Sequence, residues 1–127
     1  MADKQTNIVL IEDEEMLANM YETKFTNEGF QLRKALDGEA GLKLIEEDKP
    51  DLVLLDIIMP KLDGFSVLKK IRENAKTKDL PVILLTNLGQ DEDIKKGQQL
   101  GAVGYLVKAN LTPAEVVSKV QEYLKMK

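Results

Sequence analysis

The sequence predicts an α/β fold in which one doubly wound parallel sheet of five strands is flanked by five helices. Three observations predict it. The runs Ile8-Val9-Leu10-Ile11, Leu52-Val53-Leu54-Leu55 and Val82-Ile83-Leu84-Leu85 are apolar without alternation, as in strands covered on both faces. Stretches with apolar residues at helical spacing separate them, and strands alternating with helices imply right-handed crossovers in one parallel sheet. Each run also ends on a polar residue, at Glu12-Asp13, Asp56 and Thr86.

Taken in order, Asn7 to Glu12 is the first strand. The first helix runs from Glu14 to Glu28, with Leu17, Tyr21 and Phe25 at every fourth position, Met20 beside them, and Gly29 suited to the left-handed cap. Phe30 to Ala35 alternates apolar with polar residues, the pattern of a strand at a sheet edge. Asp37-Gly38 opens a second helix with Ala40, Gly41, Leu44 and Ile45 on one face, and Pro50 marks its exit. The strand ending at Asp56 is followed by Ile57-Ile58-Met59-Pro60-Lys61-Leu62-Asp63-Gly64, where Pro and Gly forbid a continued strand. Val67, Leu68, Ile71 and Ala75 give the third helix its inner face.

Pro81 precedes the fourth strand, which ends at Thr86. The fourth helix spans Asp91 to Leu100 and begins with Asp91, Glu92 and Asp93 at the positive end of its dipole. Ile94 and Leu100 are its main apolar contacts, and Gly97 in mid-helix costs roughly 0.5 to 1 kcal/mol relative to alanine. This is expected to be the loosest helix. Val103 to Val107 is the fifth strand, stopped by Lys108. Thr112-Pro113-Ala114-Glu115 is a capping box with proline at the first helical position, and Val116, Val117, Val120 and Leu124 line the last helix. The expectation is one domain over residues 1–127, without a second, effector domain.

Composition narrows the chemistry. The chain of 127 residues contains no cysteine and no histidine, which removes thiol nucleophiles, disulfides, Ser/His/Asp triads and the usual zinc sites. What remains is carboxylate, hydroxyl and lysine chemistry. A net charge of -4 with scattered lysines argues against direct nucleic-acid binding. With no leader-like opening and no apolar run long enough to cross a bilayer, a cytoplasmic protein without membrane contact is expected.

If the alternating second strand lies at an edge, the strand order is 2-1-3-4-5, that of flavodoxin-like folds. The first and third strands then lie side by side, and ligands of such sheets bind at the carboxyl ends of the strands. Glu12, Asp13 and Asp56 meet there, with Thr86 and Lys108 arriving from the fourth and fifth strands. Two like charges about 4 Å apart repel by roughly 4 kcal/mol at an effective dielectric near 20, so three carboxylates need a cation. Few carboxylates plus water suit Mg2+ better than zinc or a calcium cage. A carboxylate beside a hard cation, an ammonium and a hydroxyl is what phosphoryl transfer to aspartate requires, with Asp56 attacking and the cations absorbing charge on the transferred oxygens.

Taken singly, each residue has a plainer reading. Thr86 is strand-end packing or a local turn bond, Lys108 a solvated loop charge, and Glu12 and Asp13 complements to the first helix's dipole. Tyr105 alone is a half-buried sheet residue. Coincidence at all the strand ends is the weaker explanation.

Across essentially its whole length the chain resembles a bacterial response regulator receiver domain of the single-domain, CheY-like kind. The motifs that carry the resemblance are Val9-Leu10-Ile11-Glu12-Asp13, Asp51 to Pro60 with Asp63-Gly64, Pro81 to Thr86, and Gly101-Ala102 with Tyr105-Leu106-Val107-Lys108. The resemblance implies that Asp56 is phosphorylated by the phosphohistidine of a sensor histidine kinase or histidine phosphotransfer protein. It implies that Glu12, Asp13, Asp56 and the backbone carbonyl of Ile58 hold Mg2+, that Lys108 pairs with the phosphoryl group, and that Thr86 reaches for it once attached. It further implies that Tyr105 then swings inward and repacks the face made by the fourth helix, fifth strand and fifth helix, where partners dock.

Two departures from the family pattern involve three positions. Ala109 stands where proline usually follows the strand-five lysine, and a cis bond there would cost about 2.5 to 4 kcal/mol, so a trans bond is expected. Ile58 and Leu88 are apolar where the family often has polar or charged side chains, which predicts hindered water attack and a long phosphorylated lifetime. Two other classes remain in view. Magnesium-dependent phosphatases also use an aspartyl phosphate, but their nucleophile strand ends in Asp-x-Asp and position 58 here is Ile. A degenerate interaction module would keep the fold without the chemistry. The leading expectation is a phosphorylation-dependent switch and not a turnover enzyme, acting on a separate downstream protein as a monomer or a phosphorylation-dependent dimer.

Overall fold

A computed structural model describes residues 5–125; the extremes of the expected 1–127 domain lie outside the described residues. Five strands, β1 (Asn7–Ile11), β2 (Gln31–Ala35), β3 (Leu52–Leu55), β4 (Val82–Thr86) and β5 (Gly104–Val107), pair in parallel in the order β2-β1-β3-β4-β5. Five helices alternate with them: α1 (Glu15–Asn27), α2 (Gly38–Glu47), α3 (Gly64–Glu73), α4 (Asp91–Gln99) and α5 (Pro113–Lys125). The strand order and the edge position of β2 are those the sequence predicts. A short 3-10 turn at Lys108–Asn110, which the sequence reading did not contain, joins β5 to α5.

The unalternating strands are unalternating because both faces are covered. Val9, Ile11, Val53, Leu55, Val82 and Leu84 pack with Ile45, Val67, Leu68 and Ile71 of α2 and α3. Their neighbours Ile8, Leu10, Leu52, Leu54, Ile83 and Leu85 pack on the other side with Ala18, Tyr21, Phe25, Val116, Val117 and Val120 of α1 and α5. Each fully buried aliphatic side chain is worth roughly 1.5 to 3 kcal/mol, so the sheet centre dominates stability.

Side chains fix the helix starts. Asp37 accepts from Ala40 N at 2.8 Å and Asp63 from Ser66 N at 2.8 Å. Thr112 and Glu115 form the reciprocal capping box, with Thr112 N donating to Glu115 Oε1 at 2.8 Å and Glu115 N to Thr112 Oγ1 at 3.1 Å. Gly29 adopts φ +91°, the left-handed cap expected of it.

Several side chains face differently from the sequence reading. Met20 is 45% exposed, Ala40 is exposed, and Ala75 lies beyond the end of α3 and is exposed. Ala18 of α1 and Phe65 of α3, not singled out from the sequence, are buried in the core instead. Small or flexible residues carry weak periodic signals, so one-residue offsets on a helix face are invisible in them.

Gly97 has a different meaning from a tolerated defect. A Cβ on it would come within 2.6 Å of Leu84 Cδ1 and 3.5 Å of the Tyr105 ring. The poor helix former is what lets α4 seat on β4 and β5.

Candidate functional site

Three loops at the carboxyl ends of the strands build the site. β1 and β3 are in register from Ile8↔Leu52 to Ile11↔Leu55, so Glu12 and Asp56 follow directly on paired residues. Asp56 N donates to Ile11 O at 3.0 Å and carries the ladder one residue further. Carboxylate oxygens of Glu12, Asp13 and Asp56 all lie within 4.8 Å of one another, with Asp13 the most open of the three. The predicted acidic cluster therefore exists as a geometric unit.

Each carboxylate is held. Glu12 Oε2 accepts from Glu14 N at 3.0 Å, and Asp56 Oδ1 accepts from Ile57 N at 2.7 Å. Lys108 Nζ reaches Asp56 Oδ2 at 2.8 Å and also donates to Glu12 Oε1. The side chains of these three are at most 7% exposed, so the attraction acts with little screening.

Burial pushes the Glu12 carboxyl up, against the hydrogen bonds from Lys108 and Glu14 N that lower it. For Lys108 burial alone would act downward, but the hydrogen bonds to Asp56 and Glu12 prevail and raise its pKa, so the ammonium is kept charged. One ammonium thus bridges two of the three carboxylates and cancels one of their charges. The donor set is oxygen only, it faces water on the Asp13 side, and it is two positive charges short, which fits a hard divalent ion with several waters in its shell.

The peptide bond between Lys108 and Ala109 is trans, as expected for alanine, and Lys108 nevertheless reaches Asp56. Thr86 ends β4, fully buried, and pairs with Val107 next to Lys108; its Oγ1 accepts from Leu88 N at 3.4 Å. Tyr105 is half-buried, with its hydroxyl donating to Leu88 O at 2.6 Å. Burial, followed by the charges of Asp93 and Asp56, pushes that phenol up to about 12. Leu88 is thus gripped by Thr86 through its N–H and by Tyr105 through its carbonyl. The Ile58 side chain is 60% exposed at the mouth of the site.

The sequence reading took Gly64 as a strand breaker and a motif residue and missed its close approach to Asp56. Gly64 opens α3 so close to the end of β3 that a Cβ on it would lie 2.1 Å from Asp56 O. Glycine directly after the Asp63 cap, where a better helix former would be expected, was the available signal.

A family model described as the response regulator receiver domain matches residues 8–121. The chain belongs to that family. As a receiver domain it is part of two-component signalling. It is 41% identical over 102 residues to the transcriptional regulatory protein AfsQ1 of Streptomyces coelicolor, covering 80% of this chain and 44% of that protein. It is 39% identical over 118 residues to the regulatory protein VanRc of Enterococcus gallinarum, covering 93% of this chain and 49% of that protein.

The receiver domain thus spans about half the length of the curated relatives it matches. Among solved structures, the receiver domain of Francisella response regulator 1452 superposes with a TM-score of 0.86 at 31% identity, covering 97% of this chain and all of that one. Vibrio cholerae chemotaxis protein CheY4 superposes with a TM-score of 0.88 at 24% identity, covering 94% of this chain and 98% of that one, and at that identity the likeness is one of fold. No helix among the described residues is long and apolar enough to cross a membrane.

Proposed function

We propose that this receiver domain is a phosphorylation switch in which Asp56 is the acceptor. The observation that carries the reading is the pairing of the buried Asp56 carboxylate with Lys108 at 2.8 Å, inside a cluster that also holds Glu12 and Asp13. A carboxylate oxygen of Asp56 attacks phosphorus of a phosphohistidine on a sensor histidine kinase or phosphotransfer protein. The new P–O bond forms as the P–N bond breaks, and the imidazole leaves with a proton. Lys108 follows the charge onto the phosphoryl oxygens, and the Thr86 hydroxyl donates to one of them.

Glu12, Asp13, Asp56 and the carbonyl of Ile58 would hold Mg2+, which supplies positive charge to the transferred oxygens. Hydrolysis of the acyl phosphate by water resets the domain, and no external substrate turns over.

When Thr86 moves toward the phosphoryl group, its contact with Leu88 N is lost, and the Tyr105 hydroxyl on the other side of Leu88 responds. The face of α4, β5 and α5 is repacked for a downstream partner. The relative named as a transcriptional regulatory protein supports a DNA-binding protein or domain as that partner, with residues 1–127 acting as the receiver unit and not touching nucleic acid itself.

Incubation with Mg2+ and acetyl phosphate, followed by intact mass measurement, tests this reading. One added phosphate that is absent in Asp56→Asn is expected. No addition with or without Mg2+ would leave an inert interaction module, and sustained phosphate release from foreign substrates would indicate a phosphatase.

A further inference from the structure

The unit that carries Thr86 and Tyr105, from β4 through α4 to β5, is attached to the rest of the molecule unevenly. At its amino-terminal end α4 is loosely held. Gln90 provides no side-chain cap, Gly89 to Glu92 are exposed, and Ile94 is only half-buried. Further along, in the last turn of α4, Lys96 lies 4.6 Å over the ring of Phe65 in α3.

The carboxyl-terminal end is different. Arg72 of α3 donates from Nη1 to Leu80 O at 2.7 Å and from Nη2 to Gly101 O at 2.6 Å. Leu80 stands just before Pro81 and β4, and Gly101 directly follows α4. One planar guanidinium therefore ties the chain entering β4 to the chain leaving α4, using the two-pronged geometry that lysine lacks.

The approach is close. Gly101 adopts φ +92°, and a Cβ there would lie 2.7 Å from Arg72 Nε. Around this contact Gly101 N donates to Gln98 O, Ala102 N to Gly97 O and Val103 N to Val82 O, which closes the helix and starts β5. Immediately inside it, Gly97 rests on Leu84.

We infer that Arg72 is a positioning residue that pins the carboxyl-terminal end of α4, so that the helix swings about this end while its amino-terminal end moves with the Thr86 and Leu88 loop. A helix fastened at one end has two discrete seats without losing its register on β5, which is what a two-state element requires. The swing rests on the phosphorylation reading above; the pin itself does not.

Amide hydrogen exchange on the intact, unphosphorylated protein tests the pin. In Arg72→Met the amides of Ala102 and Val103 should exchange about tenfold faster than in the parent, because two charge-assisted hydrogen bonds are gone, with Leu10 and Leu54 unchanged. Arg72→Lys, which reaches one carbonyl at most, should be intermediate, and it serves alone if the methionine variant does not fold. Unchanged exchange at Ala102 and Val103 would overturn the pin.

The swing is read in amide shifts after acetyl phosphate and Mg2+, with mass confirming one added phosphate. The parent should shift from Gly89 to Ile94 while Gly101 to Val103 stay in place, and in Arg72→Met the shifts should spread through Gly101 to Val103. A merely structural arginine would not redistribute them. Equal shifts at both ends of α4 in the parent would overturn the swing. Failure to take up phosphate would refute the acceptor reading and leave the exchange result to decide the pin.

Discussion

Lys108 and Asp56, 52 residues apart in sequence, meet at 2.8 Å through a loop in which alanine and a trans bond follow the lysine. The 3-10 turn at Lys108–Asn110 makes the bend, and Val107, paired with Thr86, sets where it begins. The aim of the ammonium therefore does not depend on a proline. Removing it leaves Glu12 and Asp56 buried without their partner. Lys108→Met should destabilise the domain by about 3 kcal/mol in EDTA, and MgCl2 should recover a larger increment than in the parent, since the metal becomes the sole counter-charge. Thermal melts with and without metal check both parts.

Metal binding should be legible without any phosphodonor. At roughly a hundredfold excess over the dissociation constant, Mg2+ should stabilise the parent by about 2.7 kcal/mol. Asp13→Asn, which removes the most open carboxylate and leaves the Lys108 pairs intact, should weaken that response while the apo protein melts nearly as before. A metal-independent melting curve for the parent would refute the binding site.

Gly97→Ala sets helix propensity against packing. Propensity alone predicts a gain of roughly 0.5 to 1 kcal/mol. The added methyl, however, meets Leu84, which is fully buried and cannot withdraw. Overpacking of this kind costs about 1 to 3 kcal/mol, so a net loss in chemical denaturation is expected.

The Tyr105 phenol gives a pH signature. Its folded pKa of about 12 lies above the unfolded value of 10.0, so the folded state holds the phenolic proton more tightly. Its contribution to stability is fully present below about pH 10 and is lost as pH rises through the folded value. Tyrosinate absorbance should show a late phase that Tyr105→Phe reduces, leaving the part that belongs to Tyr21, whose phenol is also pushed up by burial, and the variant should lose less stability than the parent above pH 10.

On the phosphorylation reading proposed above, phosphate lifetime should depend on the mouth of the site. Ile58, which follows Asp56 in the next loop, is 60% exposed, and its apolar side chain offers nothing to orient an attacking water. A polar replacement, Ile58→Asn, should shorten the lifetime of the phosphorylated form several-fold, measured as decay of the added mass after the phosphodonor is removed. A parent that already loses its phosphate quickly would contradict this.

The fold was legible because its strands are buried on both sides, and an apolar run that stops at an acid marks both a strand and the rim where it ends. Glu12, Asp56, Thr86 and Lys108 could be placed together from strand order alone, since order fixes which carboxyl ends are neighbours. Contacts that depend on the absence of a side chain were not legible. Gly64 under Asp56 read as a strand breaker and Gly97 on Leu84 as a helix weakness, because sequence shows the cost of glycine and hides the neighbour that requires it. Arg72 was hidden for a related reason: its partners are backbone carbonyls, which every residue possesses.

The lateral strand β2 carries its own protection. Arg33 turns into the end of α2, donating to the carbonyls of Leu44 and Asp48, and Lys34 pairs with Glu22 of α1 at 2.7 Å. Basic side chains anchored along an open margin obstruct the approach of a foreign strand. A concentrated solution of the native domain should accordingly resist fibril growth by edge addition, and amyloid conversion, where it is forced, should begin with the peeling away of these two cations.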